Sequence, residues 1–353
     1  MKLDVEIIAP CLVAFVTATM LMIYLAKLAR KIDLVDYPTD RKIHQQPVPL
    51  IGGIAMVTSL TLSMMFVPYS FGSFRILFFC IGVLLIVGVL DDYKEITVSA
   101  KLVIEIVLAT ILVIYGEVVI FGIGDVWATG YGQGLGILAI PFSILAVIGV
   151  INAFNMADGL DGLAGSVALL VFIGLLIALV IRGLSSEPEY QVLVLLMIVV
   201  LVVFLCFNIP IIVSVKKQVF MGDAGSMVIG LLIVFLLIEF SQRKVPIIKS
   251  AAAPWIIGVP LLDMVSVIIG RIREGRSPFY ADRKHLHHLL QSLGLNQYTV
   301  LFLLVTLQTI FVSIGVLGTL LEWKDQILFV SMFPVVIIYL YIKYYVESKL
   351  TSD

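Results

Sequence analysis

Residues 191–214 read Q-V-L-V-L-L-M-I-V-V-L-V-V-F-L-C-F-N-I-P-I-I-V-S, without a single charged side chain. A helix on the surface of a soluble protein is apolar along one stripe, whereas this stretch is apolar all round. A bilayer core takes about 20 helical residues to cross, and this run supplies them. Barrel strands alternate apolar with polar residues, and this run does not. Comparable segments lie near 5–26, 49–67, 75–90, 102–115, 135–155, 164–181, 226–240, 250–269, 298–319 and 327–346. The expectation is an all-α integral membrane protein with about eleven transmembrane helices, one polytopic membrane domain over 1–353. Composition agrees: 61% of residues are hydrophobic and 13% charged, with mean hydropathy +1.13. Soluble domains carry about 25% charged residues. A soluble enzyme, a disordered tail, a fibrous repeat and a nucleic-acid binder are thereby excluded. The net charge of −1 supplies no bulk field for a polyanion.

Of the 23 Lys and Arg residues, 16 fall in the C-terminal tail and the loops after predicted helices 1, 3, 5, 7 and 9. The positive-inside rule then puts the N-terminus in the periplasm and the C-terminus in the cytoplasm. The acidic and basic Met1–Glu6 segment, with no A-x-A site after the first apolar run, predicts a retained helix rather than a cleaved signal. Cys11, Cys80 and Cys206 all sit in apolar runs and are expected to be buried, without a disulfide framework.

The unusual polar residues collect in the same cytoplasmic loops, near 28–48, 91–101, 156–163, 215–225 and 270–296. Asp91 and Asp92 end an apolar helix, where carboxylates oppose the helix dipole; that favours a cation site or general base over a structural role. Residues 152–162 read N-A-F-N-M-A-D-G-L-D-G. The spacing of Asn155, Asp158 and Asp161 puts them on one drifting face of a helix, or else in a glycine-rich turn capped by Asp. Asp223, in F-M-G-D-A-G-S at 220–226, is a candidate magnesium ligand or a helix cap. His285, His287 and His288 lie in D-R-K-H-L-H-H at 282–288, among Arg271, Arg273, Arg276, Arg283 and Lys284. Without a Cys or Glu at ligand spacing, this set favours an anion over zinc. Glu105 and Asp263 lie inside apolar spans, as functional groups or as hydrogen bonds between helices.

Acids that gather a cation, beside a basic loop that holds anions, suit phosphoryl transfer at a membrane surface, and the acceptor is then expected to be a lipid. No G-x-x-x-x-G-K-[ST] is present. An intramembrane aspartyl protease needs G-x-G-D, and Phe220 stands where its first glycine would be. A CDP-alcohol phosphotransferase needs A-R soon after D-G, and Leu160-Asp161 follow instead.

Taken together, Asp91-Asp92 and the motifs at 152–162, 220–226 and 282–288 resemble the polyprenyl-phosphate N-acetylhexosamine-1-phosphate transferases, over roughly residues 28–320. The H-x-H-H form of the last motif favours the bacterial GlcNAc branch. The resemblance implies an eleven-helix fold in the bacterial inner membrane, with its site on the cytoplasmic face. It also implies transfer of GlcNAc-1-phosphate from UDP-GlcNAc to undecaprenyl phosphate, releasing UMP, as the first membrane step of an O-antigen or common-antigen type polysaccharide. Another UDP-HexNAc or UDP-MurNAc-pentapeptide donor is the alternative, and a proton-coupled transporter the remote one. By the same resemblance Asp91 and Asp92 are catalytic, and Asp223 and Asp158 hold Mg2+, with Mn2+ as the alternative ion. Asn155, Asp161, Phe220, Arg283, His285, His287, His288, Lys42 and His44 bind substrate. The partners implied are the two substrates, the bilayer and, as an assembly to test, a second copy of the chain.

Overall fold

The computed structural model describes residues 5–38, 46–182, 188–209, 218–277 and 284–352. They form α1 (Val5–Ile32), a two-stranded antiparallel ribbon of β1 (Val35–Asp36) and β2 (Val48–Pro49), α2 (Gly52–Met64), α3 (Arg75–Lys94), α4 (Val98–Tyr115) and α5 (Ala139–Ala157). α6 (Leu163–Arg182), α7 (Pro188–Asn208), α8 (Gly222–Ser241), α9 (Ala253–Ile256), α10 (Gly258–Arg273), α11 (Leu286–Ser292), α12 (Gln297–Leu320) and α13 (Asp325–Ser352) follow.

Helices dominate because a chain in hydrocarbon must satisfy its own backbone. The polar side chains within them do the same. Ser59, Ser63 and Ser143 donate to carbonyls three or four residues back, at 2.6–2.8 Å. Thr97 caps α4 by accepting from Ala100 N, and Asn296 caps α12 by accepting from Thr299 N.

Among the described residues nine helices are long and apolar enough to cross a membrane, and the α9–α10 pair makes a tenth if it is one span. The structure is therefore an all-α integral membrane protein. Two expected spans come out differently. The segment near 49–67 forms α2, only 13 residues long. The segment near 250–269 breaks at Ile257, where the two pieces bend by 81°. Cys80 is buried as expected, but Cys206 is exposed on α7 and Cys11 only partly covered. An apolar run in a membrane protein offers lipid as well as core, so apolar context does not imply burial.

The helices share one apolar core. Its centre is α8, whose apolar window is 89% buried, against 17% for α13 at the periphery. α8 packs against α2, α3 and α5, so the residues at its start meet the ends of its neighbours.

Candidate active site

The chain entering α8 is held by backbone hydrogen bonds. Gly52 and Gly53 N–H donate to the Phe220 and Met221 carbonyls at 2.9 Å, and Phe220 N–H donates to the Pro49 carbonyl at 2.9 Å. The chain entering α2 and the chain entering α8 therefore run side by side. Gly222 turns into α8 at φ +71°, a conformation costly for any residue with a Cβ. A Cβ at that position would also strike the Asp92 carboxylate. α3 comes equally close, since a Cβ on Gly88 would enter the backbone of Ala224.

That approach delivers Asp91 and Asp92 to Asp223. Asp92 accepts from Asp223 N–H (2.9 Å) and Ala224 N–H (3.4 Å), capping α8 from the neighbouring helix at the positive end of its dipole. Asp91 accepts from Ile96 N–H at 2.6 Å and pairs with Lys101 Nζ at 2.5 Å. Lys101, in the first turn of α4, reaches Asp223 Oδ2 at 2.5 Å as well. One ammonium thus joins two carboxylates. Asp223 is the more open of the two, its side chain 36% exposed against 10% for Asp91.

α5 contributes the third edge. Asn155 donates to Ser226 Oγ on α8 at 3.1 Å. The helix then ends at Ala157, so the three polar residues are not on one helical face. Asp158 is the C-cap and Asp161 lies in the turn that follows. Asp158 leaves the helix at ψ 38°, and Gly162 turns the chain at φ +81° just before α6 begins. Burial, followed by the charges of Asp223, Asp92 and Asp161, pushes the Asp158 carboxyl well above the usual carboxylate range. Asp161 accepts from Gln218 Nε2 at 2.9 Å, which ties the turn to the segment before α8. Asn208 closes the same link, accepting from Gly162 N–H (2.6 Å) and donating to the Val219 carbonyl (2.9 Å).

Among the described residues Asp91 and Asp223 share one lysine, and the charges of Asp92 and Asp223 reach Asp158, so the cluster is short of positive charge. Among the described residues no three His, Cys, Asp or Glu groups close a metal site unaided. Magnesium does not require one, since it takes one or two carboxylates and completes its shell with water and phosphate. The residues fit such an ion.

The pattern of glycosyl transferase family 4 matches residues 74–241, the stretch from α3 through α8 that carries all four acids. The undecaprenyl-phosphate alpha-N-acetylglucosaminyl 1-phosphate transferase of Escherichia coli K12 is 32% identical over 323 residues, 90% of this chain and 87% of that protein. Its namesake in Haemophilus influenzae is 34% identical over 335 residues, 93% and 92% of the two chains. The namesake in Pasteurella multocida is 32% identical over 333 residues, 94% and 91%. The chain belongs to glycosyl transferase family 4. It is an enzyme, a 1-phosphate transferase.

In this transferase the histidine motif meets the D-G turn directly. The His287 ring lies on the Gly159 backbone, where any Cβ would overlap Nε2. His287 is 2% exposed, and its Nε2 has no hydrogen-bond partner among the described residues. Burial, with help from His288, pushes its pKa down to about 3, so the ring is neutral. His288 is half-buried, its ring 4.2 Å from that of His287. His285 turns away from the turn, with Nδ1 on the Asp263 carboxylate at 2.8 Å. Phe220 is half-buried, and its backbone carries the link to α2. Lys42, His44 and Arg283 lie outside the described residues.

The motifs alone do not reveal Lys101, which counts in the sequence as one more basic loop residue. The available signal is a lysine one turn inside an apolar helix, ten residues after Asp91. Glu105, one turn further on, accepts from Asn152 Nδ2 at 2.5 Å and is thereby joined to α5.

Proposed function

We propose that this transferase moves GlcNAc-1-phosphate from UDP-GlcNAc to undecaprenyl phosphate, giving undecaprenyl-diphospho-GlcNAc and UMP. The observation that carries this is the shared ammonium: Lys101 Nζ stands 2.5 Å from both Asp91 and Asp223 where the apolar spans end. Carboxylates gathered on a cation, at the depth of a lipid headgroup, are what a diphosphate and a lipid phosphate need to meet. The names of the relatives supply undecaprenyl phosphate and the N-acetylglucosaminyl 1-phosphate group, and the motif resemblance supplies UDP as its carrier.

Asp223 and Asp158 hold Mg2+, with Mn2+ as the alternative, and the ion when bound withdraws charge from the diphosphate oxygens. Asp91 and Asp92 flank the reacting phosphates. Both Asp92 oxygens already accept from α8, so Asp91 is the one that orients the lipid phosphate once Lys101 turns to an anion. Asn155 lines the site beside Ser226, while Asp161 acts through the turn it ties down. His287 and His288, with Arg283, take the sugar diphosphate. Lys42 and His44 belong to the same cytoplasmic face, and Phe220 to the nucleotide.

The enzyme lies in a bacterial inner membrane with eleven crossings, counting α2 and the bent pair as one each. Its N-terminus is periplasmic and its C-terminus cytoplasmic. The deciding experiment offers purified protein labelled UDP-GlcNAc, UDP-GalNAc or UDP-MurNAc-pentapeptide, with undecaprenyl phosphate and magnesium. UMP release with UDP-GlcNAc is expected. Turnover of the muramyl donor alone overturns the proposal.

A further inference from the structure

α10 carries a carboxylate that the reaction described above does not use. Asp263 is 7% exposed, and a buried carboxylate is costly unless its partners hold it. Two of its three side-chain partners belong to the histidine motif. Oδ2 receives His285 Nδ1 at 2.8 Å, and Oδ1 receives the Leu286 N–H, the first of α11, at 2.8 Å. An ionised carboxylate only accepts, so Nδ1 of His285 carries the hydrogen. The same contact supplies the cap that α11 lacks from His285, its own N-cap residue.

The third partner comes from the far end of the chain. Tyr339 OH, on α13, donates to Asp263 Oδ1 at 3.2 Å. One turn further along α13, buried Lys343 donates to Ser266 Oγ at 2.8 Å. Ser266 in turn donates to the Asp263 carbonyl at 2.7 Å. The last helix thus braces both the carboxylate and the turn of α10 that bears it.

The consequence falls on the next histidine. His287 is two residues beyond His285, the two rings lying within 13° of parallel with centroids 5.8 Å apart. Its Nε2 edge rests on Gly159, with no room for a Cβ between them. A small rotation of α11 about its start would lift that ring from the turn. We propose that Asp263 is a positioning residue of the sugar-nucleotide site: by holding His285 and the first N–H of α11, braced by Tyr339 and Lys343, it sets where His287 stands against the Asp158–Gly159 turn. This rests on the assignment of the histidine motif to the sugar diphosphate.

Asp263→Asn tests it at constant size. An amide keeps one oxygen for Leu286 and Tyr339 but offers His285 a donor, which reverses the ring's hydrogen. The expected result is a KM for UDP-GlcNAc raised about tenfold, with the KM for undecaprenyl phosphate changed less than about twofold. Tyr339→Phe should raise the donor KM about threefold by loosening the same carboxylate. Added to His287→Ala, Asp263→Asn should cost less than it does alone, because its effect passes chiefly through that ring. A merely structural role would lower kcat and Tm and leave both KM values alone; that outcome overturns the proposal, as does a double variant losing the full product of the two factors. If Asp263→Asn does not accumulate, Tyr339→Phe decides, and an unchanged donor KM there is equally fatal. His287→Ala separates the two assignments. A wild-type donor KM in that variant removes the histidine motif from the sugar diphosphate and this proposal with it. A raised donor KM beside an unaffected Asp263→Asn removes this proposal alone.

Discussion

His287 is a base kept from its proton. Buried against Gly159, it titrates near 3 instead of the ordinary 6.5. The folded protein therefore refuses a proton that the unfolded chain accepts below about pH 6.5. Stability is lost as pH falls through that point, by up to about 1.4 kcal/mol per pH unit, and the loss levels off below about 3. Between pH 7 and pH 5 the Tm of the wild type should drop further than that of His287→Gln, by thermal melts in one detergent. Equal drops would leave the ring protonatable and accessible. The acids divide in another way. Asp223→Asn keeps size and removes the charge a hard cation needs, so it should nearly abolish transfer and weaken Mn2+ binding measured by electron paramagnetic resonance. Asp91→Asn should lose about 100-fold in kcat with metal binding less affected, as expected of a group acting on the substrate phosphate. Were Asp91→Asn to fail only in metal binding, its assignment would move to the ion.

At the scale of the element, α8 is placed by glycine. Gly88 on α3 admits the Ala224 backbone, Gly53 on α2 admits Gly225, and Gly230 on α8 admits Ile151 of α5. Gly88→Val should push α3 from the start of α8, cost about 1–3 kcal/mol as an overpacked contact, and take activity with it. Gly82→Val is the control on the same helix, since nothing lies within 4 Å of its Cβ. A Gly88→Val enzyme as stable and active as Gly82→Val would show that the backbone approach does not carry the site. This packing explains which elements the sequence disclosed. Long apolar runs announced nearly every helix, because in a bilayer hydropathy and helix length are the same constraint. The shortness of α2 and the α9–α10 break were not legible, because a short apolar helix and a bend draw on the same residues as a straight span. The acids were visible as motifs; that Asp92 caps α8 while Lys101 bridges Asp91 and Asp223 depends on helix ends meeting, which no spacing along the chain encodes.

For the whole molecule, charge along the chain and polar chemistry point to the same side. The start of α8, the end of α3, the end of α5 and the histidine helix α11 come together in space. Their flanking segments hold Lys94, Lys101, Lys216, Lys217, Arg271, Arg273, Arg276, Arg283 and Lys284, nine of the 23 basic residues. Elements that meet around one site must share one face of the bilayer, so a single accessible position reports on all of them. Loops rich in Lys and Arg are retained in the cytoplasm. The donor, a water-soluble sugar nucleotide, is available to an enzyme only where cells make it. Glu274, in the turn after α10 and partly open to water, suits replacement by cysteine. In a chain whose Cys11, Cys80 and Cys206 have been replaced, Cys at 274 should react with a membrane-impermeant maleimide only in inverted vesicles. Cysteine at Thr129, an exposed position in the loop between α4 and α5, should react in right-side-out cells. Reaction of both from the same side would contradict an odd number of crossings between them. Reaction of position 274 from outside would reverse the orientation and put the four acids in the periplasm, out of reach of the nucleotide.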